Sequence, residues 1–162
     1  MMSEGRRDGD HAGASGGGDG FDGVIVSLEG DRYTTRLHAG DHVIVADEPR
    51  SVGGDDAGMT PYQLLLASLG ACKAMTLRMY AKRKGWPLEG VVCTLRHERR
   101  HAEDCEHCED EKSKIDHIDV ELQVLGPLDG DQRLRLHEIA DRCPVHRTLM
   151  REIRIGSTLI EE

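Results

Sequence analysis

A single stretch, TPYQLLLASLGACKAMTLRMYAKRKG at residues 60–85, constrains this chain more than any other. Thr60 takes an N-cap, Pro61 the first helical position and Gln63 the third, which together make a capping box. Gly85 and then Pro87 end the helix at about Lys84. Its first two-thirds, LLLASLGACKAMTL, is apolar almost all round. The helix is therefore expected to be central and buried, with only Lys82, Arg83 and Lys84 reaching water. With one Phe, one Trp and three Tyr in 162 residues, the core around it must come from Leu, Ile, Val, Met and Ala.

The flanking segments supply strands. Val24–Leu28 and Arg32–His38 read as strands joined by Glu29-Gly30-Asp31, and His42–Ala46 follows a second turn, Ala39-Gly40-Asp41. Asp47–Met59, with Pro49, Gly53, Gly54 and Gly58, reads as a loop. Beyond the helix, Val91–His97 and Ile115–Leu125 read as strands. In the second, Ile118, Val120, Leu122 and Val124 alternate with Asp119, Glu121 and Gln123. The charged RRHAEDCEHCEDEKSK between them predicts a long hairpin tip. Asp129 or Asp131 caps a second helix, whose stripe Leu136, Ile139, Ala140 and Cys143 falls at i, i+3, i+4 and i+7. Pro144 opens a further short helix, and Glu152–Ile155 reads as a closing strand. The fold class is α+β. The length suits one domain of one lobe or two, over residues 23–162, behind a Gly- and Asp-rich tail at 1–22 expected to be disordered.

Charge and cysteine usage narrow the function. A formal net charge of −9 argues against nucleic acid and anionic membrane surfaces, both of which reward basic patches. No stretch approaches the roughly 20 apolar residues that span a bilayer, and the N-terminal residues lack the apolar core of a secretory signal. Five cysteines, an odd number without such a signal, predict reduced thiols in a cytoplasmic protein rather than a disulfide framework.

Cys72 lies on the helix face that carries Leu65, Leu69, Met75 and Met79. Free cysteine packs as a small hydrophobe, so a plain core role is one reading. Redox chemistry is the other. Ser68, Gly70, Ala71 and Ala74 are small enough to let a second element approach the thiol, and Cys143 sits on the core-facing stripe of the other long helix. Pro144 as a first helical residue puts Cys143 at an N-cap, where the helix end charge favours a thiolate. Ending its apolar stripe is the alternative role for Cys143. Cys72 lies about three turns into its own helix, beyond reach of that helix's end charge. As an attacking thiolate it needs a cation or donor from elsewhere.

A third group, His97, His101, Cys105 and Cys108 with His107 nearby, matches zinc ligands by type. On an extended strand, His97 and His101 would stand roughly 13 Å apart at about 3.3 Å per residue, too far for one ion. Either the strand ends before His101, or His101, Cys105 and Cys108 act without His97. A solvated acidic hairpin and an accessory dithiol are the other readings. Cys93, within an apolar strand, reads as core.

LGAC at residues 69–72 and RCPVH at residues 142–146 are specific in combination. With TPYQLLLASLGACKAMTLRMYAKRKGWPL, HAEDCEHCE and GPLDGDQRLRLHEIADRCPVHRTL, they make the chain similar to the OsmC/Ohr family over roughly residues 24–156. It resembles the OsmC-like branch more than Ohr proper. The resemblance implies antiparallel sheets around a buried central helix, in an intertwined homodimer with each active site at the subunit interface. It also implies that Cys72 is peroxidatic and that Cys143 resolves its sulfenic acid as a disulfide. An Arg and a Glu orient and activate the first thiol, and dithiols such as lipoyl groups, or small thiols, restore the pair. Organic hydroperoxides are the implied substrates, hydrogen peroxide a poorer one, and no cofactor is required beyond a zinc ion if the hairpin holds one. The sequence departs from the family at the glutamate: Ohr carries it directly after the helix-start Pro, where Tyr62 stands, and many OsmC-like relatives one position later, where Gln63 stands. Arg36 is the candidate for the activating Arg, with Arg32 behind it, and a solvated strand charge is the other reading of either.

The expected function is thus a thiol-dependent peroxidase. Cys72 attacks the terminal peroxide oxygen, an alcohol or water leaves, and Cys143 condenses with the sulfenic acid. A pocket lined by Leu65, Leu69, Met75, Met79 and Gln63 would favour organic hydroperoxides. The alternative is a non-catalytic binding module of the same fold, zinc-stabilised at residues 97–108. Loss of the carboxylate favours the module, and retention of both cysteines favours the enzyme.

Overall fold

A computed structural model of the chain describes residues 23–101 and 114–160. The expected tail at 1–22 and most of the hairpin tip lie outside these residues. The chain divides after Thr60 into two compact units, Met1–Thr60 and Pro61–Glu162.

In the first unit, β1 (Ile25–Leu28), β2 (Thr35–Ala39) and β3 (His42–Ala46) form an antiparallel sheet in the order β1-β2-β3. Gly30 and Gly40, at φ of 85° and 59°, supply the left-handed residues of the two turns. The second strand begins three residues later than the sequence suggests. Arg32 pairs instead with Asp55 at 3.0 Å, and the Thr34 hydroxyl donates to Asp47 at 3.1 Å. Asp47 is the anchor of the loop that follows. Its buried carboxylate accepts from Thr34 and from the backbone N–H groups of Glu48, Asp55 and Ala57. Burial alone would raise its pKa, but these donors together outweigh burial and hold it below the usual value. Gly54 and Gly58 let the loop fold back: a Cβ there would lie 1.8 Å from Glu48 O and 2.1 Å from Val45 O.

The second unit holds α1 (Pro61–Lys84), the paired strands β4 (Gly90–His101) and β5 (Lys114–Leu125), α2 (Gly130–Ala140) and α3 (Pro144–Leu149). Gly85, at φ of 66°, ends α1 where the sequence places the stop. Asp129 caps α2 through a full capping box with Gln132. Leu77 and Leu136, both fully buried, are the centre of a core completed by Ala81, Leu88, Ile139 and Ala140.

Only one flank of α1 enters that core. Leu69, Gly70, Lys73, Leu77 and Ala81 are buried, whereas Leu65, Met75 and Met79 are exposed, the last two by 64% and 65%. The expectation of a helix buried all round therefore fails for the single chain, in which β4, α2 and α3 cover one side only. Gly70 sets the close contact with β4, since a Cβ there would stand 2.8 Å from Leu95 Cδ1. The expected closing strand at Glu152–Ile155 is also absent. Residues 152–160 are exposed and pair with no strand of either sheet among the described residues.

Candidate thiol site

Cys143 closes the turn between α2 and α3. The apolar stripe of α2 carries it inward, and Pro144 fixes the start of α3, so that the His146 N–H donates to Cys143 Sγ at 3.3 Å. The side chain is fully buried, and the Cys72 thiol, presented by α1, is near enough to act on its ionisation. Cys72 itself is half-buried, and both sulfurs are free thiols.

The electrostatics of Cys143 differ from the N-cap expectation. Burial has the largest effect and pushes this thiol up. The His146 N–H pulls it down, the Cys72 thiol adds to the rise, and the charge of Lys73 opposes it, with the net still upward. A six-residue helix has little end charge to set against full burial.

The sequence reading missed Lys73, the buried cation beside this pair. Its side chain is 3% exposed, and Nζ donates to Ala140 O at 3.2 Å and Asp141 Oδ1 at 2.8 Å, with His146 Nδ1 at 3.4 Å. An ammonium has three donors and no acceptor, so three acceptors complete it, and the proton of a neutral His146 must then sit on Nε2. The bond to Lys73 is the chief reason that the Asp141 carboxyl lies below its usual range. A signal for Lys73 was present: Leu69, Lys73, Leu77 and Ala81 fall at i, i+4, i+8 and i+12, and a lysine inside an apolar stripe is almost always paired. Cys93 on β4 feels the same cation, although burial dominates and raises its thiol.

The other candidates are dispersed. Leu69 faces the interior while Leu65, Met75, Met79 and Gln63 face outward, so these five do not line one pocket within the chain. Arg36 is exposed on β2 of the first unit, between Ser27 and Val45. His97 stacks on Tyr62 with ring centroids 4.5 Å apart, and its Nε2 lies 2.9 Å from Asp116 Oδ1. The same carboxylate binds Arg99 Nε at 3.2 Å and is held low, first by His97 and then by Arg99. β4 continues through His101, so the backbone between His97 and His101 is extended. Cys105 and Cys108 lie outside the described residues, and among the described residues no three His, Cys, Asp or Glu side chains group as metal ligands.

Comparison with known proteins decides the family. The family model described as OsmC-like protein matches residues 53–158. The chain belongs to the OsmC-like family. This OsmC-like protein also shares its fold with solved structures. An OsmC-like protein from Mycoplasma pneumoniae is 19% identical, with a TM-score of 0.62 over 81% of this chain and 88% of that one. An organic hydroperoxide resistance protein OsmC from Legionella pneumophila is 21% identical, with a TM-score of 0.57 over 82% and 92%. The organic hydroperoxide resistance protein OhrB of Bacillus subtilis is 17% identical, with a TM-score of 0.54 over 79% and 90%. No match was found among curated proteins. Among the described residues no helix is long and apolar enough to cross a membrane.

Proposed function

We propose that this OsmC-like protein is a thiol-dependent peroxidase that reduces organic hydroperoxides through Cys72 and Cys143. One observation carries the reading: the buried Cys143 thiol stands beside Cys72 of α1, near enough for one thiol to act on the ionisation of the other. Cys72, the more accessible of the two, attacks the terminal peroxide oxygen, and the O–O bond breaks to release an alcohol. The resulting sulfenic acid condenses with Cys143, releasing water, and a dithiol such as a lipoyl group returns both sulfurs to thiols. The working unit is a homodimer in the cytoplasm, with the activating Arg, for which Arg36 is the candidate, brought to Cys72 on assembly. The resistance proteins of Legionella pneumophila and Bacillus subtilis, which share the fold, support this choice of substrate.

The rival reading, a binding module without catalysis, draws on position 62. Tyr62, standing where Ohr has its glutamate, is stacked on His97 and gives no carboxylate. Turnover of cumene hydroperoxide with a dithiol separates the two. The enzyme loses two thiols per subunit rapidly and regains them with dihydrolipoamide. Cys72→Ser abolishes turnover, whereas Cys143→Ser allows one oxidation and leaves Cys72 to over-oxidise to the sulfinic acid, seen by mass spectrometry. Multi-turnover activity in Cys72→Ser would sink the assignment.

A further inference from the structure

The peroxidase reading makes no use of Lys73. Yet it is a buried charge in the middle of the apolar stripe Leu69, Leu77 and Ala81, and such a position is costly unless fully paired. All its bonds run to the other side of the site: to Ala140 and Asp141 at the end of α2, and to His146 in α3. These residues bracket Cys143, and the N–H that Cys143 Sγ accepts belongs to His146. Lys73 thus ties α1, which carries Cys72, to the turn that carries Cys143.

We infer that Lys73 is the positioning residue of the second thiol: its ammonium docks the Cys143 turn onto α1 and supplies the positive charge under which Cys143 attacks oxidised Cys72. The inference rests on the peroxidase reading for its physiological oxidant. The step itself is a thiol condensation. The Cys143 sulfur attacks the sulfenic sulfur of Cys72, the S–O bond breaks with its electron pair on oxygen, and hydroxide takes the Cys143 proton and leaves as water. Cys143 is oxidised and the Cys72 sulfur is reduced by the same amount, so no further reactant is needed. Burial opposes ionisation of Cys143, and the Lys73 charge opposes that effect. The ionisable groups facing the ammonium are Cys143, Cys93, Asp141 and His146, with His137 acting on Asp141 from α2. Asp141 is the only carboxylate among them, so it is the brake on the cation.

Docking and charge make opposite demands on two substitutions. Lys73→Met keeps the stem and removes the charge, and Asp141, 60% exposed, is left in contact with water rather than stranded. Asp141→Asn keeps the charge and removes the brake. Rapid-quench mass spectrometry with cumene hydroperoxide reads Cys72 oxidation and disulfide closure separately. Lys73→Met should oxidise Cys72 at nearly the wild-type rate and close the disulfide several-fold more slowly, because a smaller fraction of Cys143 is thiolate. Asp141→Asn should close faster than wild type at pH 7. If both variants slow closure alike, or neither changes it, the charge role is overturned. Closure is measured again from a Cys72–glutathione mixed disulfide, in which Cys143 expels glutathione thiolate without any peroxide. A chain that fails with peroxide but shows the opposite shifts here refutes the peroxidase reading and upholds Lys73. Circular dichroism showing all three proteins fully folded at the assay temperature excludes general unfolding as the cause of slower closure.

Discussion

Asp141 holds a buried ammonium while standing largely in water, and its stability contribution has a definite pH sign. Lys73 depresses the folded pKa, aided by His146 and His137 and opposed by burial. A carboxyl depressed on folding stabilises above its unfolded value, about 3.9, and loses that contribution as pH falls through the lower folded value. Urea denaturation should therefore show Asp141→Asn less stable than wild type at pH 7, with the gap closing below about pH 4. A gap that is unchanged at pH 3 would mean that the pair with Lys73 contributes nothing. At this scale the sequence singled out two cysteines but said little about their surroundings. Cys143 could be placed in the core from the stripe of α2, whereas the α1 face that carries Cys72 with Leu65, Met75 and Met79 is largely exposed. Burial of Cys143 reverses the effect assumed for the helix terminus. Lys73 was hidden by the assumption that the helix was apolar on all sides, although its i+4 spacing from Leu69 marked it.

Local punctuation made most elements legible. Gly85 stops α1 and Pro144 starts α3 at the positions the sequence suggested, and Asp129, one of its two candidate caps, starts α2. Removing the α2 cap with Asp129→Ala should cost about 1 kcal/mol in chemical denaturation, because it frees the N–H of Gln132. Gly126 demands more. At φ of 126°, with a Cβ that would fall 2.2 Å from Pro87 O, it joins β5 to α2 by passing against the segment after α1. Gly126→Ala should destabilise by about 1–3 kcal/mol, the range for a residue forced into such backbone. A cost below that of the cap variant would show that the turn can shift. The misjudged elements are those whose fate depends on distant partners. Arg32–Thr34 has the alternation of a strand, but Asp47 and Asp55 take its side chains. Glu152–Ile155 has the pattern of a strand but pairs with no strand among the described residues.

The apolar surface left over at the scale of the whole molecule has a consistent arrangement. Ile25 and Val26 in β1, and Val43 and Ile44 in β3, are neighbours in sequence, so both faces of the first sheet carry exposed apolar side chains. Met75 and Met79 add the outer flank of α1. Ile153, Ile155, Leu159 and Ile160 lie on the strandless segment, the last three 87–90% exposed. Apolar groups on this scale are unusual on a free monomer and mark surfaces that another chain covers. A backbone with unpaired donors and acceptors adds readily to a sheet edge. A second copy of the chain would meet all three needs, which is why the homodimer belongs to the proposed function. Light scattering at micromolar concentration should give twice the 17.9 kDa chain mass, and the melting temperature should rise with protein concentration. Ile155→Asp tests the segment directly. In a monomer its side chain already faces water, so the substitution would be silent within about 0.5 kcal/mol. In the homodimer it places an unpaired charge in an apolar interface and should shift the mass toward the single chain. A monomer mass for the wild-type protein, with Ile155→Asp silent, would remove the intertwined architecture and leave α1 with an outer flank that water covers.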